Sequence, residues 1–369
     1  MAPSVIRTWK RMLREFSQLS YPLLDPTEKL EEETLPWYQV IGKLGYGGYS
    51  TVWLCRDLQQ HEYVTLKVFE RNSTEGQRET ETYRHLNSLD KVDHTGAKLI
   101  RTALDNFHIT SQEGKFRCLT RSFPKKIVKL TLMHLLLALD YLHTEAGIVH
   151  TDIQEKNIMM AIEDTSILAD FEEEEKSRPS PRKRVGDRVI YTSRKLRKTK
   201  QHGRPTLCDF GQAHRGTSTY YGDIQPYIYR APEVLLRKPW NEKVDIWNVG
   251  LLVCLIVNNM GSLPTRISGR DSDKKRSDGH RIAEMIAVMG PPPKEMIPNS
   301  VYATEFLDDE GSWKGAIEIP LMSLETLEGN LEGEPRLLFF QFPRKMLKWK
   351  AEDRLSSREL LEDPWLRSP

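Results

Sequence analysis

From Trp37 to about Leu119 the chain mixes β-branched and aromatic residues with polar ones and breaks at glycine clusters. The segments "WYQVIGKLGYGGYSTVWLCRD" and "EYVTLKVFE" therefore read as strands. One stretch inside this region has a different period. Between Glu75 and Leu89, the residues Tyr83, Leu86 and Leu89 recur at a spacing that shares one helical face, which predicts a helix there. From Lys126 the pattern turns helical, beginning with "IVKLTLMHLLLALDYLHTEAG", where Gly147 is suited to end the helix. The expected class is α+β, with a small β-rich lobe carrying one helix and a larger helical lobe after it. A length of 369 residues, at roughly 150 residues per domain, is consistent with two such units.

Composition changes this picture little. Lys and Arg number 54 against 52 Asp and Glu, for a net charge of +2, with 38% hydrophobic residues and a mean hydropathy of -0.54. Such a balance gives no reason to expect a general polyanion binder. The longest apolar stretch, Val249 to Val257, is interrupted by Gly250 and falls short of the roughly 18 residues of a membrane span, so no membrane association is expected. Cys55, Cys118, Cys208 and Cys254 lie far apart without a C-x-x-C pair, which argues against a zinc site or a disulfide framework. A cytoplasmic or nuclear location is expected. At the N-terminus, Arg7, Lys10, Arg11 and Arg14 alternate with Val5, Ile6, Trp9, Met12 and Leu13, so residues 1–36 read as an extension carrying a basic amphipathic segment.

Charge along the chain is uneven. Asp170 and Glu172 to Glu175 form an acidic knot, followed by a basic run through Arg178, Arg182, Lys183, Arg184, Arg194, Lys195, Arg197, Lys198 and Lys200. Two readings of this run stand: a solvated insertion, or a nuclear-import or docking segment containing "SRPSPRKR" and "SRKLRKTK". Direct nucleic-acid binding is not expected, because the total charge is near zero and the basic run is poor in aromatics.

Several residues carry candidate chemistry. Gly45-Tyr46-Gly47-Gly48-Tyr49-Ser50-Thr51-Val52 lies between two strand-like segments, where missing Cβ atoms let backbone N–H groups approach phosphates; a hairpin turn would also explain it. Lys67, in "VTLKVF", suits the cation that holds nucleotide phosphates. Its expected partner is Glu79, which lies four and seven residues before Tyr83 and Leu86; Glu81 points to another side. In His150-Thr151-Asp152-Ile153-Gln154-Glu155-Lys156-Asn157, Asp152 suits the acceptor of a hydroxyl proton and Asn157 a magnesium ligand. Asp209-Phe210-Gly211 offers a second magnesium ligand in Asp209.

In that order, with Ala231-Pro232-Glu233 after them, these residues resemble a eukaryotic protein kinase domain covering the chain from about Trp37 to its end. The resemblance implies a bilobal protein-kinase-like fold, with an N-lobe over about 37–120, a C-lobe over about 128–369 and an insertion over about 161–205. It implies use of ATP and magnesium, with Leu44 joining the loop Gly45 to Val52 over the nucleotide, and a protein substrate. Asp245-Ile246-Trp247-Asn248-Val249-Gly250 resembles the helix that supports the catalytic loop, and Arg354 the arginine that pairs with Glu233. Arg230 before Ala231 and the insert leading to "EMIAVMGPPP" resemble the CMGC group, while "LGYGGYSTVWL", "HTDI" and "VDIWNVG" look most like its SR-protein kinases of the short-spacer fungal type. That family phosphorylates serines of Arg/Ser-rich splicing factors, and the expected enzyme is a monomeric serine/threonine kinase.

The chain departs from the pattern at three places. Thr151 stands where many kinases carry an arginine that receives an activation-loop phosphate, so competence without such a phosphate is expected. Gln154 replaces a lysine and Pro226 the threonine that accompanies it, which predicts slower turnover. Between Leu119 and Val128, "TRSFPKK" must serve as the whole hinge, over about 120–127. Seven extended residues reach about 23–25 Å, enough to link two lobes but not to hold a further helix. A truncated coding sequence and a pseudokinase that serves as a protein-binding module are the two readings of this shortening.

Overall fold

The computed structural model describes residues 38–70, 73–89, 93–103, 125–185, 188–197, 203–216, 218–257, 269, 275–298, 300, 302–315, 317–327 and 333–368. The N-terminal extension and residues 120–124 of the expected hinge lie outside these; Lys125 already opens a helix.

In chain order the elements are β1 (Tyr38–Tyr46), β2 (Ser50–Asp57), β3 (Tyr63–Phe69) and α1 (Thr74–Ser88). There follow α2 (Lys125–Tyr141), β4 (Ile148–Val149), β5 (Ile158–Met160), α3 (Ser166–Ser177), β6 (Arg182–Val185) and β7 (Arg188–Tyr191). After these come β8 (Pro205–Leu207), β9 (His214–Arg215), α4 (Pro232–Leu235), α5 (Lys243–Val257) and α6 (Asp278–Met289). The chain closes with α7 (Leu324–Leu327), α8 (Gly333–Arg344), α9 (Ser357–Leu361) and α10 (Pro364–Arg367).

The described residues fall into two compact units. The first joins the chain up to Tyr83 with Ala161–Gly203; the second takes Arg84–Thr102, α2 and its sequel to Met160, and the chain from Arg204 onward.

In the first unit β1, β2 and β3 form an antiparallel sheet in that order. The register sets Val52 opposite Lys67 and Leu54 opposite both Thr65 and Gly42, so these residues share one face while Trp53 and Cys55 point to the other. The charged stretch forms a helix and a hairpin folded onto this sheet, with Arg178, Arg182 and Lys183 of its basic run exposed. The apolar residues Ile167, Leu168 and Phe171 of α3 recur on one helical face and pack with Leu54, flanked by Ile41, Leu44, Tyr63 and Leu196. Covering Phe171 in this way contributes about 2–3 kcal/mol. Gly42 permits the approach, since a Cβ there would stand 2.8 Å from the Phe171 ring. On the opposite face Tyr191 meets Trp53 edge-on at 6.2 Å.

The second unit is helical. Leu132, Leu135, Leu136 and Leu139 of α2 are buried at three- and four-residue spacing, as the sequence pattern requires. Gly147 ends the helical run in the left-handed region at φ 61°, where its N–H reaches the Leu142 carbonyl. Helix α5 is apolar on all sides and lies in the interior, with Val249, Leu252 and Val253 buried. Among the described residues no helix is long and apolar enough to cross a membrane. Two short antiparallel pairs, β4 with β9 and β5 with β8, frame the loops that hold the candidate chemistry.

Candidate active site

In the first unit, strand β3 presents Lys67 toward α1, and its Nζ lies 2.8 Å from Glu79 Oε2. Glu79 is buried, whereas the exposed Glu81 accepts from Gln77 one turn earlier. The choice between the two carboxylates follows from helical phase. The run Leu44 to Val52 joins β1 and β2 as a hairpin, closed where Gly47 N–H donates to Ser50 O at 2.7 Å. Tyr49 stands half exposed at its tip.

In the second unit, the loop between β4 and β5 carries Asp152 and Asn157, and β8 runs into Asp209. Pairing Ile158 with Leu207 draws these loops side by side, and Cys208 N–H donates to Asn157 O at 3.0 Å. Asn157 Nδ2 donates to the Asp152 carbonyl and to its Oδ2, each at 2.8 Å. Gln154 Nε2 donates to Asp152 Oδ1. Burial pushes the Asp152 carboxyl above its ordinary value and the Asp209 charge adds to this, while Lys156, His150 and the Asn157 hydrogen bond pull against it. A proton acceptor with raised affinity, held by two amides, suits removal of a hydroxyl proton.

Backbone geometry is strained at both loops. Thr151 has φ 63° and Asp209 φ 71°, conformations a side chain adopts only where neighbours impose them. Asp245, at the start of α5 and fully buried, supplies that constraint for Thr151. Its carboxylate accepts from the N–H groups of His150 at 2.8 Å and Thr151 at 2.7 Å, with His143 Nε2 3.0 Å away. Phe210 is buried against His150 with ring centroids 4.9 Å apart, which fixes the turn after Asp209.

Magnesium would find oxygen donors here in the Asp209 carboxylate and the Asn157 amide oxygen. Among the described residues no group of three or more His, Cys, Asp or Glu side chains forms a metal cage. A site of one carboxylate and one amide fits magnesium, which retains water and completes its shell with phosphate oxygens. The same sparse set would not fit a structural zinc.

Sequence reasoning missed other positioning residues. Gln225 has φ 64° and is buried, and its amide makes three contacts: to Val244 O at 2.9 Å, to Asn248 Oδ1 at 2.5 Å and from Ala231 N–H at 2.9 Å. Tyr229 donates to Glu155 at 2.7 Å, tying the segment after Asp209 to the Asp152 loop. No motif signals either one, because a lone Gln or Tyr takes its role from what surrounds it. Among the described residues, the segment between Asp209 and Glu233 is held by hydrogen bonds, a ring stack and an ion pair. Thr151 Oγ1 donates to Gln212 O at 2.7 Å, Tyr220 stacks on Trp240 at 4.7 Å, and Asp223 lies 3.0 Å from Arg230. Farther from the chemistry, Arg354 grips Glu233 with two hydrogen bonds of 2.7 and 2.6 Å.

Comparison with known proteins identifies the family. A family model described as the protein kinase domain matches residues 38–366. A serine/threonine protein kinase of Aspergillus fumigatus is 40% identical over 385 residues, covering 94% of this chain and 93% of that one. The serine/threonine-protein kinase SRPK of Physarum polycephalum is 24% identical, over 89% of this chain and 85% of its own length. The crystal structure of another kinase domain superposes with a TM-score of 0.62 at 20% identity, covering 92% of this chain and 98% of that one. A lysine–glutamate pair on a β3–α1 unit, a buried aspartate held by amides and an Asp-Phe-Gly turn beside it thus belong to a chain of the protein kinase family, a serine/threonine kinase.

Proposed function

We propose that the chain transfers the γ-phosphoryl group of ATP to serine or threonine hydroxyls in Arg/Ser-rich proteins of the splicing-factor type, acting in the cytoplasm or nucleus as a monomer. The observation that carries the substrate class is the similarity, over 89% of the chain, to a kinase named SRPK, together with the segments "LGYGGYSTVWL", "HTDI" and "VDIWNVG".

In this reading Lys67, oriented by Glu79, binds the α- and β-phosphates, and backbone amides of the loop Leu44 to Val52 cover them. Asp209 and Asn157 would hold magnesium, which neutralises charge on the phosphates when bound. Asp152 accepts the hydroxyl proton of the substrate as the oxygen attacks. The test is phosphate incorporation into an Arg/Ser peptide and into the same peptide with its arginines replaced by alanine, with Asp152→Ala as the blank. Preference for the first peptide is the expected result. Equal labelling of both would remove the Arg/Ser assignment and leave the kinase.

Two further results are expected. Gln154 gives its amide to Asp152 and brings no positive charge to the transferring phosphoryl group. Gln154→Lys should therefore raise kcat by about three- to tenfold; an unchanged or lower rate in steady-state assays would contradict this. Thr151 anchors Gln212 without a cation that could receive a phosphate. Phosphatase treatment of the purified enzyme should leave its rate on an unphosphorylated peptide within about twofold, whereas a switch dependent on loop phosphorylation would lose about tenfold or more.

A further inference from the structure

The insertion Ala161–Gly203 wraps the free edge of the sheet like a clip. Helix α3 lies on the face that bears Lys67, the chain crosses the edge where Arg194 N–H donates to Lys43 O at 2.9 Å, and Tyr191 reaches Trp53 on the far face. Carboxylates of α3 fasten its two halves to each other, Arg197 pairing with Asp170 at 2.9 Å and Glu175 gathering the contacts nearest the turn. Glu175, at the end of α3, accepts from Ser180 N–H at 3.0 Å and also from the Ser180 hydroxyl and Arg194 Nε, while Arg194 pairs with Glu174 at 3.1 Å. A second fastening joins Glu172 of α3 to Tyr63 at 2.7 Å and to Arg56.

Ser180 is the sensitive point of this arrangement. It is only 6% exposed, and its hydroxyl must donate, because the group it faces can only accept. It also sits in Arg178-Pro179-Ser180-Pro181-Arg182-Lys183-Arg184, a serine with arginine two residues before and two residues after it. We propose that Ser180 is an autophosphorylation site, and that the phosphate unfastens the insertion from the sheet. The acceptor chemistry rests on the Arg/Ser reading given above.

The step balances with the established activity. The Ser180 oxygen forms a bond to the γ-phosphorus of ATP, the bond from that phosphorus to the β–γ bridging oxygen breaks, and ADP leaves with the electron pair. The hydroxyl proton passes to Asp152. The phosphorylated side chain has lost the hydroxyl donor to Glu175, and its charge of about −2 would face Glu174 and Glu175 in a space that holds only a hydroxyl. If Arg194 turns to the phosphate, Glu175 loses its cation instead. Either way the closed clip loses its central contacts, and α3 separates from Leu54 and Gly42. Because Ser180 is covered while the clip is closed, modification requires an open clip and then prevents reclosure.

The experiment incubates the full chain with magnesium and ATP, maps phosphate by mass spectrometry, and follows amide hydrogen exchange before and after. The expected result is phosphate on Ser180, its absence in Asp152→Ala, and exchange over residues 166–177 faster by about tenfold or more in the modified protein. Ser180→Ala should take no phosphate at this segment and keep slow exchange after ATP. An Arg/Ser peptide labelled by an enzyme whose Ser180 stays unmodified would overturn this inference and leave the substrate reading intact. Failure to label that peptide would remove the substrate reading, and the proposal with it. Phosphate on Ser180 with unchanged exchange would overturn the unfastening.

Discussion

Asp152→Asn should lower kcat by about 10²–10⁴-fold while leaving the dissociation constant for magnesium-ATP within about threefold. The expectation follows from what the substitution removes. The Asn157 and Gln154 amides both donate to the side chain, so an asparagine that turns its oxygen toward Asn157 keeps the loop in place once the Gln154 amide flips to accept from the new N–H2 group. In the proposed reaction, what disappears is the carboxylate that receives the substrate proton, and the phosphate-binding role assigned to Lys67 is unaffected. A loss in nucleotide affinity as large as the loss in rate would show that Asp152 supports binding instead. The carboxylate also predicts a pH dependence. Burial, aided by Asp209, raises the affinity of Asp152 for its proton, so the acid limb of the kcat/KM profile should lie above the ordinary carboxylate range of about 4 and vanish from the residual rate of the asparagine variant. The stability consequence has the opposite benefit. With its folded pKa above the unfolded value, Asp152 contributes stability that is fully present below the unfolded value and lost as pH rises through the folded one. At neutral pH the asparagine variant should therefore be no less stable than the native enzyme in thermal melts.

The second large effect concerns stability. Glu233→Gln should destabilise the second unit by about 3 kcal/mol, the lower end of the range for breaking a buried ion pair. Arg354 is 1% exposed and Glu233 4% exposed, so the partner left behind is a charge that water cannot reach. The loss stays near the lower end because Arg354 also donates to the carbonyls of Lys348 and Lys243 and lies 5.2 Å from the Trp247 ring. Replacing both residues, as Glu233→Gln with Arg354→Met, removes the orphaned charge and should cost less than the sum of the two single changes. Denaturant titrations of the three variants measure this; additive losses would mean that the two residues do not stabilise each other.

Much of the site was legible in the sequence because short motifs carry their own geometry. Asn157 lies five positions after Asp152, so one loop returns the amide to the aspartate, and Asp-Phe-Gly follows a strand short enough to pair beside it. Glu79 could be chosen over Glu81 because helical phase turns them to different sides. The insertion was not legible in the same way. Its composition, an acidic knot and then a basic run, is that of a solvated loop, and periodicity gave only the weak apolar signal of Ile167, Leu168 and Phe171. What turned it into a clip is the absence of a Cβ at Gly42, more than a hundred residues earlier, and an edge strand with a carbonyl to offer.

By itself, then, the sequence determined the β-rich segment with its one helix, the helical segment after it, and the side chains whose chemistry suits phosphate, magnesium and a proton, because those depend on local period and residue type. Only the tertiary structure decided the strained backbones at Thr151, Asp209 and Gln225, the shared carboxylate of Asp245 and the fastening of the insertion through Glu175. Each of these arises where groups distant along the chain meet out of water and must satisfy one another, and neither periodicity nor composition encodes that requirement.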